Sequence, residues 1–218
     1  MSTLTVVTFG DSTTAERTGA VVYTTLLQRE TDPGLRWINR GVPGNTTAMA
    51  RERFERDVVA EAPDIVVIQF GINDAAVDVW KSPPVLEPRV PLARYEENLR
   101  YFLHSLKATQ ARPIVMTPNP QRWTAPLLER YGRAPYCPQE ETGFTRILET
   151  YAEAARRIAG EEGVPLVDIY ERHALWEREN GRPCSELLSD GMHPNSEGHR
   201  LVADALGPVI RNVQGETG

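Results

Sequence analysis

Apolar residues along this chain gather in short runs separated by longer stretches with the spacing of amphipathic helices. The runs Leu4–Phe9, Leu35–Asn39, Ile65–Phe70, Pro113–Thr117 and Val164–Ile169 each read as a strand. Between them, apolar positions recur on one face over Ala20–Arg29, Thr47–Ala60, Leu92–Ala108, Glu140–Ala159 and Ser196–Asn212, which read as helices. Asn195 stands where the last of these needs an N-cap. The third strand is apolar at consecutive positions, Ile65-Val66-Val67-Ile68, as a strand covered on both faces must be. Strands spaced by helices form βαβ units, hence a parallel sheet with right-handed crossovers. The expected class is α/β.

Two connections break this rhythm: Ala75 to Pro91 after the third strand, and Pro118 to Gln139 after the fourth. Ten of the 17 prolines fall between Pro83 and Pro138, mostly inside these stretches. Proline fixes φ and removes a backbone donor, so both are expected to be irregular. Both leave from strand carboxyl ends, where open α/β sheets place their chemistry. Loops there are walls of a cleft more often than linkers. Trp80 and Trp123 lie in them and are the candidate substrate-binding residues.

A length of 218 residues suits one domain, 1–218, with a sizeable core. Hydrophobic content of 40% and charged content of 25% are ordinary for a globular protein. A net charge of −6 gives no reason to expect nucleic acid or an anionic membrane surface as partner. No apolar run is long enough to span a bilayer. The first strand begins almost at once, with no basic and apolar leader before it, so the expected location is the cytoplasm. Cys137 and Cys184 make no CxxC and are read as two free thiols.

The candidate chemistry starts at Gly10-Asp11-Ser12-Thr13, directly after the first strand. A serine at that turn is exposed at a strand's carboxyl end and is the candidate nucleophile. Acyl transfer needs a base to take its proton. His193, in Asp190-Gly191-Met192-His193-Pro194, is the candidate base, and Asp190 would hold the imidazole tautomer. Asp-x-x-His alone equally describes a surface pair. His199 follows, but no metal-ligand spacing accompanies it, so neither metal nor cofactor is expected. A tetrahedral intermediate needs donors for its oxyanion. Candidates are the Ser12 N–H at the start of a helix, the Gly44 N–H in Gly41-Val42-Pro43-Gly44, and the Asn73 amide in Gly71-Ile72-Asn73-Asp74. Asp11 and Asp74 are read as structural, bonding turn amides. His104 and His173 are read as ordinary packed or surface histidines.

These four blocks, in this order, resemble the SGNH hydrolases, the GDSL-type esterases and lipases. Ser12, Gly44, Asn73 and His193 match the four letters of the name, and Asp190 matches the triad acid. The resemblance spans Gly10 to His199. It implies a three-layer α/β/α sandwich on a five-stranded parallel sheet, flavodoxin-like in strand order, and a serine esterase with no cofactor. Thr13 stands where the GDSL motif has leucine. Gly-Asp-Ser-Thr resembles instead the carbohydrate acetylesterases of the superfamily, including rhamnogalacturonan acetylesterases. The expected reaction is therefore hydrolysis of a short-chain ester, acetyl above all, on a carbohydrate. Other readings are a lysophospholipase, thioesterase or arylesterase, an acyltransferase using the same triad, or a non-catalytic carbohydrate-binding module. The expected partner is a small-molecule or oligosaccharide ester.

Overall fold

The computed structural model describes residues 3–30 and 34–215. Five parallel strands form its sheet: β1 (Leu4–Gly10), β2 (Leu35–Gly41), β3 (Ile65–Gln69), β4 (Arg112–Met116) and β5 (Leu166–Val167). Their order across the sheet is β2-β1-β3-β4-β5. This is the flavodoxin-like order, with its switch point between β1 and β3. Registers Gly10↔Gly41 and Gly10↔Gln69 bring three strand ends to that point.

Alternate residues of each strand face opposite layers. Val7, Phe9, Val66, Ile68 and Val115 pack beneath α2 (Thr47–Asp57), α3 (Leu92–Lys107) and α5 (Arg146–Glu162). Val6, Ile65, Val67, Ile114 and Met116 pack beneath α1 (Tyr23–Glu30) and α7 (Ser196–Gly215). Phe9 meets Phe54, Phe70 and Phe102 edge-on at centroid separations of 5.2–5.6 Å. Burying such rings contributes roughly 1.5–3 kcal/mol each. The expected three-layer sandwich is the observed fold.

Two expectations need correction. The run read as a strand over Val164–Ile169 pairs only at Leu166 and Val167. Asp168 then accepts the Glu171 N–H at 3.1 Å, and a further helix, α6 (Ile169–Asn180), begins. That cap ends the strand. The stretch Pro118–Gln139 is not wholly irregular either, because α4 covers Ala125–Tyr131. Pro126 lies in its first turn, where a missing N–H costs nothing. By contrast Ala75–Pro91 holds only an isolated bridge, Val77 to Pro88.

Val77, Val79, Leu127, Tyr131, Tyr136 and Phe144 form a third apolar cluster, separate from the two under the sheet. It joins the two proline-rich connections above the strand ends. Both cysteines are free thiols.

Candidate active site

Gly10 ends β1 and Asp11 turns the chain. The Asp11 carbonyl accepts the Thr14 and Ala15 N–H groups at 3.3 and 3.0 Å. Its carboxylate accepts the Thr13 N–H and hydroxyl, each at 2.9 Å. Ser12 rides on this turn. No helix starts here: α1 begins only at Tyr23, so the Ser12 N–H has no helix dipole behind it, contrary to expectation. A single tight turn held by Asp11 does the positioning instead.

The Ser12 Oγ lies 2.9 Å from His193 Nε2, and His193 Nδ1 lies 2.7 Å from Asp190 Oδ2. Asp190 Oδ1 accepts the N–H groups of Met192 and His193 at 3.0 and 2.9 Å. Partial burial opposes its charge, but these N–H groups and the imidazole hold the carboxyl down to about 2. An anion at Oδ2 fixes the proton on Nδ1. Nε2 is thereby the free lone pair that faces the serine hydroxyl.

The loop carrying Asp190 and His193 is fastened on three sides. Asn119 Nδ2 donates to the Met192 carbonyl at 2.9 Å, and the Arg122 N–H to the Gly191 carbonyl at 2.8 Å. Within the loop, the Ser189 N–H donates to the His193 carbonyl at 2.8 Å. Gly191 has φ +85°, and a Cβ there would stand 2.4 Å from the Arg122 oxygen. Only glycine fits.

The Gly41–Asn45 turn closes onto the other side of β1. The Val42 N–H donates to the Gly10 carbonyl at 3.1 Å, and the Asn45 N–H returns to the Val42 carbonyl at 3.2 Å. Arg53, buried on α2, donates to the Gly10 and Arg40 carbonyls, each at 3.0 Å, and to Asn45 Oδ1 at 2.6 Å. Gly44 stands in this turn at φ +77°. The Asp74 carboxylate accepts the Thr47 N–H at 2.8 Å, which anchors α2 just beyond the turn. Burial pushes Asp74 up to about 7, against the pull of its bonds to Thr47. Burial likewise raises Asp11. Asp11 and Asp74 thus bond turn and helix-end amides.

Asn73 donates from Nδ2 to Asp11 Oδ2 at 3.3 Å, while its Oδ1 accepts from Arg89 at 3.4 Å. Arg89 is itself clamped by Asp78 Oδ1 at 2.7 and 3.1 Å. Burial works against the Asp78 charge, yet Arg89 and Lys81 hold its carboxyl down to about 2. A cavity of about 120 Å³ opens over these groups, lined by Ser12, Asn73 and His193 together with Arg89, Gln121, Tyr131, Tyr136, Phe144 and Met192.

Gly44, Trp80 and Trp123 do not line that cavity. Trp123 stacks on Phe144 at 4.6 Å and donates from Nε1 to the Glu140 carbonyl, so it backs the wall rather than forming it. Trp80 is 41% exposed beneath the Arg130 guanidinium, 4.2 Å from its ring centre. Sequence reasoning missed Arg53, Arg89, Tyr136 and Phe144. Only their residence in the proline-rich loops hinted at some of them. His173 and His199 are buried, and burial lowers both to about 4.

A model of the GDSL-like lipase/acylhydrolase family matches residues 8–201. Acetylxylan esterase from Geobacillus stearothermophilus is 31% identical over 194 residues, covering 87% of this chain and 79% of that one. Isoamyl acetate-hydrolyzing esterase from Saccharomyces cerevisiae is 26% identical over 180 residues, covering 79% and 68%. The crystal structure of the acetylxylan esterase Axe2 from Geobacillus stearothermophilus superposes with a TM-score of 0.73 at 27% identity, over 97% of this chain and 94% of that one. Catalytic mutants of Axe2 carry alanine in place of a serine, an aspartate, and a histidine three positions after that aspartate.

Proposed function

The chain belongs to the GDSL-like lipase/acylhydrolase family and is a carboxylic ester hydrolase, and we propose that it removes acetyl groups from a carbohydrate through Ser12, His193 and Asp190. The observation that carries this reading is the unbroken chain of contacts at 2.9 and 2.7 Å from serine hydroxyl to imidazole to carboxylate.

Ser12 Oγ attacks the acyl carbonyl carbon while its proton passes to His193 Nε2. Asp190 stabilises the imidazolium that forms. The carbonyl oxygen becomes an oxyanion, which the Ser12 N–H, the Gly44 N–H and Asn73 Nδ2 receive. As the intermediate collapses, the imidazolium returns the proton to the departing sugar alkoxide, leaving an acyl-serine. A water molecule then attacks the acyl carbon as its proton passes to His193, and the bond to Ser12 Oγ breaks as the imidazolium returns that proton to the serine, releasing acetic acid, which ionises.

Two observations support acetyl. The cavity beside Ser12 is small and is walled by the rings of Tyr131, Tyr136 and Phe144. The similar esterases act, by name, on acetylxylan and on isoamyl acetate: the acyl group is shared and the alcohol is not. Support for a sugar as alcohol comes from the acetylxylan esterase likeness and from the polar side of the cavity, Arg89, Gln121 and Asn73.

The test is hydrolysis of p-nitrophenyl acetate, butyrate and octanoate beside acetylated xylo- and pectic oligosaccharides, with Ser12→Ala as control. Expected is release confined to short acyl groups, fastest from a sugar, and lost by at least about 10³-fold in Ser12→Ala. Retained turnover in that variant would overturn the mechanism. Preference for octanoate would overturn the acetyl assignment, and preference for simple acetates over sugars the carbohydrate one.

A further inference from the structure

Arg17 has no part in the chemistry just described, yet its guanidinium Nη2 lies 3.1 Å from Asp190 Oδ2, the oxygen that already accepts His193 Nδ1. It stands on the connection between β1 and α1, five residues after the nucleophile. Asp190 belongs to the loop before α7, 173 positions away. The contact ties the segment that carries the candidate nucleophile to the segment that carries the candidate base. Its side chain is one-third exposed, while Nη1 is buried without a hydrogen-bond partner among the described residues.

We propose that Arg17 is a positioning residue for the Asp190–His193 pair, holding the carboxylate in register with the serine turn. This inference rests on the assignment of Ser12, His193 and Asp190 to ester hydrolysis. Two physical effects act together. The 2.9 Å separation of Ser12 Oγ and Nε2 joins residues 181 positions apart, so it depends on how the two segments are held. The Arg17 bridge supplies a charged hydrogen bond for that purpose, beside a weaker one from the Val21 N–H to Ser196 Oγ at 3.4 Å. In addition, a guanidinium on the far side of Asp190 Oδ2 draws on the same anion that favours imidazolium, and repels the imidazolium directly.

The other charged or titratable groups facing the imidazole come from separate elements. Asp190 shares its loop, Asp11 stands in the turn after β1, and His199 approaches from the first turn of α7. Asp11 and Asp190 favour imidazolium when ionised. His199 is neutral over the working range because burial holds it near 4. Arg17 is the permanent cation bonded to Asp190, while Arg89 lines the cavity from the Asn73 side, where Asp78 neutralises it.

The test is kcat and KM for p-nitrophenyl acetate across about pH 5 to 9 in the full chain, in Arg17→Met and Arg17→Lys, with thermal unfolding to establish that each variant folds. In Arg17→Met the acid limb of kcat/KM is expected to move up by roughly half a unit to one unit, and plateau kcat to fall about 10-fold, with KM little changed. Arg17→Lys should restore most of the limb position but not the plateau, because lysine keeps the charge and loses the fork. Wild-type profiles in Arg17→Met would overturn the proposal. So would a loss of kcat with an unmoved limb, which a purely structural role produces. A second measurement avoids reliance on one variant. In an Asp190→Asn background, Arg17→Met should add nothing; an undiminished further loss would equally overturn the proposal. Ser12→Ala keeps the two readings apart. Turnover in Ser12→Ala refutes the triad itself, whereas an inactive Ser12→Ala beside an unaltered Arg17→Met refutes only the role of Arg17.

Discussion

Asn73 is held between an anion and a cation, and that decides which way its amide points. Arg89 donates to Oδ1, so Nδ2 is left facing the buried Asp11 and the Ser12 turn. Asp11 takes one amide hydrogen, and Asn73 lines the cavity beside Ser12. Asn73→Ala should lower kcat by ~10²–10³ with little change in KM, as removal of a transition-state donor does. A change confined to KM, measured on p-nitrophenyl acetate, would move Asn73 to substrate binding. Ser12, Asn73, Asp190 and His193 stood out before any fold because their motifs occur together and in order, although each motif alone has an ordinary structural use. Arg89 and Tyr136 were not, since an arginine or tyrosine in a proline-rich loop is equally at home in solvent. Their meaning comes from Asp78 and Val77, which meet them only after folding.

At the scale of elements, the loop from Leu188 to Pro194 is the part most sensitive to backbone change. Its ends are joined by a bridge between those two residues, and its tip passes under the Arg122 carbonyl. Gly191→Ala forces a Cβ to within 2.4 Å of that oxygen at a positive φ. We expect a loss of roughly 1–3 kcal/mol in urea unfolding and a larger proportional fall in kcat than in stability-matched surface variants. Unchanged kinetics would mean the loop yields without moving His193. The first four strands were readable because their apolar runs meet no competing signal. Val164–Ile169 was not, because Asp168 caps a helix inside an apolar run and the sheet edge needs only two paired residues. The α4 helix was hidden by Pro126 and the prolines on either side of it, although Thr124-Ala125-Pro126 has the form of a helix start.

Across the whole molecule, buried ionisable groups set how the fold responds to pH. His173 and His199 are held near 4 by burial, against about 6.5 when unfolded. The unfolded chain therefore binds more protons between these values. The stability they contribute is complete above about pH 6.5 and is lost as pH falls through about 4, by at most about 1.4 kcal/mol per pH unit for each. Asp190, held near 2, adds a loss in the same direction at lower pH, from about 3.8 downwards. Asp74, raised to about 7, works the other way, and its contribution is lost as pH rises from about 3.8 through 7. Urea midpoints at pH 7.5, 6 and 5 should thus fall with acid less steeply in His199→Gln than in the parent. Parallel slopes would show that His199 is protonated in the fold.

The proposed nucleophile and base lie far apart along the chain: Ser12 follows β1, and His193 precedes α7. During synthesis the serine turn leaves the ribosome 181 positions ahead of the imidazole it will meet. Its proton acceptor, and the carboxylate that orients it, are translated only after all five strands. A truncated or stalled nascent chain carries the serine turn but no means of activating it. With the triad proposed above, the order of translation withholds ester cleavage until the sheet strands have been made.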